Sequence, residues 1–286
     1  MNMYFVLEQD NNGYMSPDTA AAWESISANN EWNQDSEYLF TATDINTLGE
    51  TLEKYRKNGK AVKHHIVPVG SIQFCNIMGY AIGCRSLPAL NVPEELADEA
   101  FAGRPIFRCR DKGELHDVLM SSEPKQFIVK PDNIAKRFEA QLVRNEETAI
   151  GSFTRQYWEP YFVSERIMED IVAEWRIFFW RDEIIEAEPY YLGNWACPDE
   201  RFVSKALETW KTGKPYAGTL DIAILDSGKN IVIEAHPLIA CGLYGFEGPS
   251  LPPMLNAAWK WYVENYKLMD PPLTQLQIQL RNQHRR

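Results

Sequence analysis

Apolar and polar positions are patterned most sharply between Tyr216 and Tyr244, YAGTLDIAILDSGKNIVIEAHPLIACGLY. Two apolar runs, Thr219–Leu225 and Asn230–Ala235, flank Asp226-Ser227-Gly228-Lys229. Branched residues in the runs and a glycine that permits φ > 0 in the connection predict a β-hairpin. Asp221, Glu234 and His236 break the pattern. A carboxylate in an apolar strand costs several kcal/mol unless it is paired or metal-bound. Pairing the strands across so short a turn brings Asp221 beside the Glu234–His236 segment. The spacing therefore predicts two or three oxygen or nitrogen ligands at one end of a sheet, a site suited to Mg²⁺.

The same patterning extends through the chain. Strands are predicted at Met3–Leu7, Tyr38–Ala42, residues 64–72, Pro105–Cys109, Lys125–Pro131, Tyr161–Met168, the aromatic run IFFW after Glu174-Trp175-Arg176, and Ile184–Tyr190. Residues 10–32 are polar and Asn-rich, and read as loop with one helical turn around Pro17–Ile26. Helices are predicted from Thr43 to the Gly59 stop, over Gly113–Met120 and Glu200–Lys211, and over Met254–Tyr266, whose aromatics read as core. Residues 86–105 carry Pro88, Pro93 and Pro105 around one short acidic helix and read as a connection between lobes. Gly70-Ser71-Ile72 reads as a strand-to-helix turn. His64 and His65 are adjacent in a strand, point to opposite faces and do not make a ligand pair.

Composition narrows the classes. A chain of 286 residues with 45% apolar residues can bury a substantial core, in one large domain or two modest ones. A net charge of -11 argues against general nucleic-acid binding, and the basic end at residues 281–286 reads as a solvated tail. Five scattered cysteines without a C-x-x-C pair fit reduced thiols in a cytoplasm. No run is long and apolar enough to span a membrane. The expectation is a soluble, cytoplasmic protein that does not engage membranes.

Charge on the other strands adds candidates. Lys130 sits at a strand end before Pro131, with Lys136 and Arg137 following, so the sequence concentrates cations there. Lys130 reads evenly as a snorkelling edge residue or an anion contact. Glu174 and Arg176 share one strand face, as a structural ion pair or as ligand contacts. Glu165–Met168 offers backbone for an adenine edge. Cations and a metal around a polyphosphate are what phosphoryl transfer needs, yet neither G-x-x-x-x-G-K-S/T nor G-x-G-x-x-G is present.

Residues 127–245 resemble the ATP-grasp superfamily of ATP-dependent carboxylate–amine ligases, in the order FIVKPD, SERIMEDIVAEWRIFF, LDIAIL and IVIEAHP. KPDNIAKRF, EWRIFF and ACGLYG resemble, more narrowly, the clade named for one arginine and two lysines, common in bacteriophage genomes. VPVGSI at residues 67–72 is similar to that clade's N-terminal part. The resemblance implies an α/β (α+β) fold, with a small N-terminal α/β domain over residues 1–104. An ATP-grasp domain over residues 105–286 would follow, its two antiparallel-sheet lobes clasping ATP. It implies that Lys130 and Lys136 bind ATP phosphates and that Glu165, Arg166, Ile167 and Met168 form the adenine hinge. Glu174 would take the ribose hydroxyls and Arg176 would face the phosphates or an acyl phosphate, with Arg176 and Lys136 as the catalytic pair. Asp221 and Glu234 would coordinate Mg²⁺, Glu234 bridging two ions. His236 stands where the family usually has Asn, which puts the second metal in question and makes Mn²⁺ tolerance an expectation. The implied reaction joins a small-molecule or peptide carboxylate to an amine acceptor through an acyl phosphate, releasing ADP and phosphate. A non-catalytic ATP-binding module and a small-molecule kinase are the alternatives. Cys241 reads as a small loop thiol, and no covalent nucleophile is needed.

Overall fold

The computed structural model describes residues 3–32, 38–51, 66–121, 126–157 and 160–268. Three short parallel strands, β1 (Tyr4–Glu8), β2 (Leu39–Thr43) and β3 (Ile66–Val69), form a sheet of order β2-β1-β3. Helix α1 (Pro17–Trp32) follows β1, and α2 (Ile72–Ala81) follows β3 with Ser71 Oγ capping the Phe74 amide at 3.2 Å. The sequence reading of residues 10–32 is corrected here, since α1 is a sixteen-residue helix rather than a loop with one turn. Its polar residues hide the signal, but Thr19, Ala22, Ser25 and Ile26 are buried on one side of it. Phe5, Val6, Leu7, Ile26, Phe74 and Met78 form a core with the last helix described, α7 (Leu251–Tyr266). Trp259, Trp261 and Tyr262 of α7 are all buried there, the core role expected of them. Both ends of the described chain thus build one core.

Past α3 (Glu99–Ala102), a second sheet contains β4 (Ile106–Cys109), β5 (Gln126–Pro131), β6 (Gln141–Arg144) and β7 (Tyr161–Glu165), antiparallel in the order β4-β7-β5-β6. Helices α4 (Lys112–Met120) and α5 (Glu147–Gln156) contribute Leu115, Leu119, Ile150 and Phe153 to its core. Sequence patterning misses β6 and α5. Four residues ending in Gln141 and Arg144 are too few and too polar to register as a strand.

The third sheet has order β11-β10-β8-β9, from β8 (Ile171–Trp180), β9 (Glu183–Leu192), β10 (Ala217–Leu225) and β11 (Asn230–Pro237), with α6 (Glu200–Thr209) packed on it. The β10–β11 hairpin is the one expected, with Asp221 opposite Glu234 and Gly228 at φ 84° in the turn. Both strands run longer than their apolar cores, so that β11 includes His236. All nine residues of β10 are buried. β11 is an edge strand of its sheet, and the Pro-rich segment covers it. Ala235 N donates to Asn91 O at 2.7 Å, and Arg104 reaches the carbonyls of Val232 and Ile233 at 3.0 and 3.5 Å.

The helix expected from Thr43 begins at residues 48–51. Its remainder, His64 and His65, and the tail at residues 281–286 lie outside the described residues. Among the described residues no helix is long and apolar enough to cross a membrane.

Candidate functional site

Strand alternation puts Glu234 and His236 on one face of β11, and the hairpin register sets Asp221 across from Glu234. One ligand atom from each of the three lies within 4.8 Å of the others. Glu234 is held on both oxygens, with Oε1 2.8 Å from His236 Nε2 and Oε2 2.5 Å from Lys130 Nζ. Burial alone would raise its pKa. The hydrogen bond and charge of His236, with the charge of Lys130, outweigh burial and hold the carboxyl well below the usual carboxylate range. Two carboxylates and an imidazole are a donor set that fits a divalent cation, hard oxygens suiting Mg²⁺ and the imidazole tolerating Mn²⁺.

The register between β8 and β10 places Arg176 opposite Asp221. Arg176 Nε and Nη2 donate to Oδ1 and Oδ2 at 2.8 and 2.7 Å, and Nη1 donates to Gly242 O at 2.9 Å. The buried guanidinium stays protonated. Desolvation would lower its pKa, but the Asp221 hydrogen bonds and charge raise it. Tyr244 and Tyr190 lie with ring centroids 4.9 and 5.9 Å from its carbon and stack on each other at 5.1 Å. Of the two readings left open by the sequence, the ion pair is present, and its acid is Asp221 rather than Glu174. Glu174 instead lies near Tyr190, whose pKa is raised chiefly by burial and then by the negative charge of Asp221.

These groups converge on a cavity of about 380 Å³, into which Asn91, Lys130, Lys136, Arg176, Glu234 and His236 all face. Lys136 is largely exposed and pairs with Glu139 at 3.1 Å. Four of the five non-glycine residues with left-handed backbone among the described residues, Asn91, Lys136, Ala240 and Tyr244, line this cavity. Strain concentrated in one place marks a site the surrounding fold holds against local preference. Cys241 also lines it, and desolvation pushes its thiol up to about 11, the neutral state of a packing residue. A second cavity of about 270 Å³ adjoins through Ala240, Cys241 and Gly242, with Glu8 and Asp18 on its wall.

Not every expected site residue faces this space. Glu165 ends β7, and Arg166, Ile167 and Met168 join that strand's sheet to β8. Arg166 N donates to Gln126 O at 2.8 Å, Ile167 packs by Ala223 and Leu225, and Met168 is exposed. They and Glu174 lie away from the lining of the first cavity, and so does Asp221, which is buried against Arg176. Sequence reasoning gave no individual role to Asn91, Tyr190, Tyr244 or the Gly242 carbonyl. Tyr244 stood inside ACGLYG without a role, and Asn91 was one polar residue in a Pro-rich stretch.

Two antiparallel sheets joined by a short connector, a lysine on one facing acids and an imidazole on the other, define a protein of the ATP-grasp class. Residues 101–250, more than half of the 286, match the profile of an ATP-grasp domain, the second family of the clade named for one arginine and two lysines, and the chain belongs to that family. Among solved structures, D-alanine–D-alanine ligase from Bacillus anthracis is 12% identical, with 92% of this chain and 99% of the ligase covered and a TM-score of 0.53. The ATP-grasp ligase PsnB, complexed with a minimal precursor, is 13% identical over 91% of this chain and 100% of its own, at a TM-score of 0.48. The macrocyclase MdnC from Microcystis aeruginosa MRC, bound with precursor peptide MdnA, is 12% identical over 93% and 100%, at 0.46. A comparison with curated protein sequences returned no match.

Proposed function

We propose that this chain is an ATP-dependent ligase that joins a carboxylate to an amine through an acyl phosphate. The observation that carries the reading is the meeting, around one cavity, of Lys130 from one sheet with Arg176, Glu234 and His236 from the other, with Asp221 buried against Arg176 and within 4.8 Å of Glu234 and His236. Membership of the ATP-grasp family supports the nucleotide. In this reading residues 105–286 hold ATP and residues 1–104 form the N-terminal domain, whose core α7 completes. The backbone of Glu165–Met168 borders the adenine, Glu174 the ribose, and Lys130 and Lys136 the phosphates. Asp221, Glu234 and His236 hold Mg²⁺, or Mn²⁺, which when bound neutralises polyphosphate charge. Arg176 is fixed by Asp221 and Gly242, which take three of its five N–H donors and leave two for the transferring phosphoryl group. A substrate carboxylate oxygen forms a bond to the γ-phosphorus as the bond to ADP breaks. The amine then attacks the acyl carbon, phosphate leaves and the amine gives up a proton. Positioning and charge carry both steps, so no enzyme nucleophile is required.

The test is incubation with Mg-ATP and a panel of amino acids and short peptides, following ADP, free phosphate and product mass. Release of both ADP and phosphate with a new amide supports the ligase. Phosphate retained on the product identifies a kinase. Bound nucleotide without turnover identifies a binding module, a reading favoured by His236 in the metal set.

A further inference from the structure

Lys130 and Glu234 belong to different sheets, and no backbone ladder joins β5 to β11. Their 2.5 Å contact therefore depends on whatever fixes one sheet against the other. Among the described residues, Asn91 touches the backbone beside both. Asn91 is buried, with φ 51°. Its carbonyl accepts from Ala235 N at 2.7 Å, between Glu234 and His236, and forms an isolated bridge to β11. Its side-chain Nδ2 donates to Pro131 O at 2.9 Å, the residue after Lys130. The next residue along, Val92, gives its carbonyl to Arg108 Nη2 at 2.7 Å, and Arg108 is also paired with Asp132. Left-handed backbone aims the main chain of Asn91 at one sheet and its amide at the other. Asn enters that conformation more readily than other residues with a Cβ, because its short side chain bonds locally. Arg104, a further tie to β11, lies next to β4, two strands away from β5.

We infer that Asn91 is a positioning residue that sets the distance between Lys130 and the Glu234–His236 end of the metal set, and so couples nucleotide binding to metal binding. It acts through backbone on both sides of the cavity. The metal set itself lies wholly on the β10–β11 hairpin and does not need it.

The nucleotide arm of the test rests on the proposed function. Asn91→Gly keeps the left-handed backbone and the bridge to Ala235 but deletes the amide. Asn91→Asp keeps the shape and replaces the donor with an oxygen. Mn²⁺ alone, titrated by electron paramagnetic resonance, is expected to bind both variants within about twofold of the unaltered chain, while Mg-ATP affinity and ADP release fall roughly 10- to 100-fold, the scale of a lost supporting contact. Unchanged nucleotide affinity, or a parallel loss of Mn²⁺ binding, would overturn the inference. A cycle in ligand-free protein keeps it separate from the ligase reading. If Asn91 holds Lys130 in place, Lys130→Met lowers the melting temperature less in the Asn91→Gly background than alone, and strictly additive shifts would count against it. Should the unaltered chain bind neither Mn²⁺ nor Mg-ATP, the proposed function fails and this cycle still decides the role of Asn91.

Discussion

Two cation–carboxylate pairs present their cations to the same cavity and are built differently. Arg176–Asp221 joins neighbouring strands of one sheet, in register, with two bonds of 2.8 and 2.7 Å and both side chains buried under Tyr244 and Tyr190. Lys130–Glu234 crosses between sheets on a single contact, with side-chain exposures of 19% and 24%. A bidentate guanidinium fork in dry surroundings is a fixed part of the fold, whereas a single ammonium contact at a cavity wall can be exchanged for another anion. The first pair reads as the frame of the site. On the proposed function, the second is the part a ligand opens, phosphate replacing Glu234 beside Lys130 and a cation replacing Lys130 beside Glu234.

The sharpest way to break that contrast is Arg176→Met. It strands the Asp221 carboxylate in a nearly solvent-free strand, and removal of one partner of a buried pair costs about 3–5 kcal/mol. Urea unfolding should show that loss, together with loss of turnover, and a change within error would demote the pair from frame to ornament. Glu234→Gln should abolish metal-dependent ADP release while unfolding shifts by only about 1 kcal/mol, because its partners keep access to solvent. Collapse of the fold would show that Glu234 is structural rather than a ligand. Lys130→Ala should weaken Mg-ATP by about 1.5–3 kcal/mol, the range of a hydrogen bond to a charged group, in isothermal titration. Equal affinity would remove Lys130 from the nucleotide.

The frame and the exchangeable contact were not equally legible in the sequence. The hairpin and its three interrupting residues stood out because period-2 patterning, a glycine turn and misplaced acids all lie within one short stretch. The partner of Arg176 depended on the β8–β10 register, across 45 positions of sequence, and a same-strand acid looked as suitable. Lys130 meets Glu234 across 104 positions and two sheets, which no local pattern encodes. Helix α1 escaped for the opposite reason, since alanine, threonine and serine share its burial with Ile26 and do not mark an apolar face. Tyr244 and Asn91 matter through backbone conformation and packing, and single residue types do not announce either.

Lys136 offers the smallest effect and an informative sign. It holds φ 54° without being glycine, while its side chain is 60% exposed and its pair with Glu139 is a surface contact. A left-handed residue with a Cβ costs about 1–2 kcal/mol, part of which glycine returns as chain entropy, and an exposed ion pair returns little. Lys136→Gly should therefore stabilise the fold slightly, by about 0.5–1 kcal/mol in urea unfolding, and at the same time weaken Mg-ATP, though less than Lys130→Ala does. Stability and affinity moving in opposite directions is the signature of strain kept for function. If both rise, the lysine is only a surface residue on an awkward turn, and the nucleotide is held from that sheet by Lys130 without it.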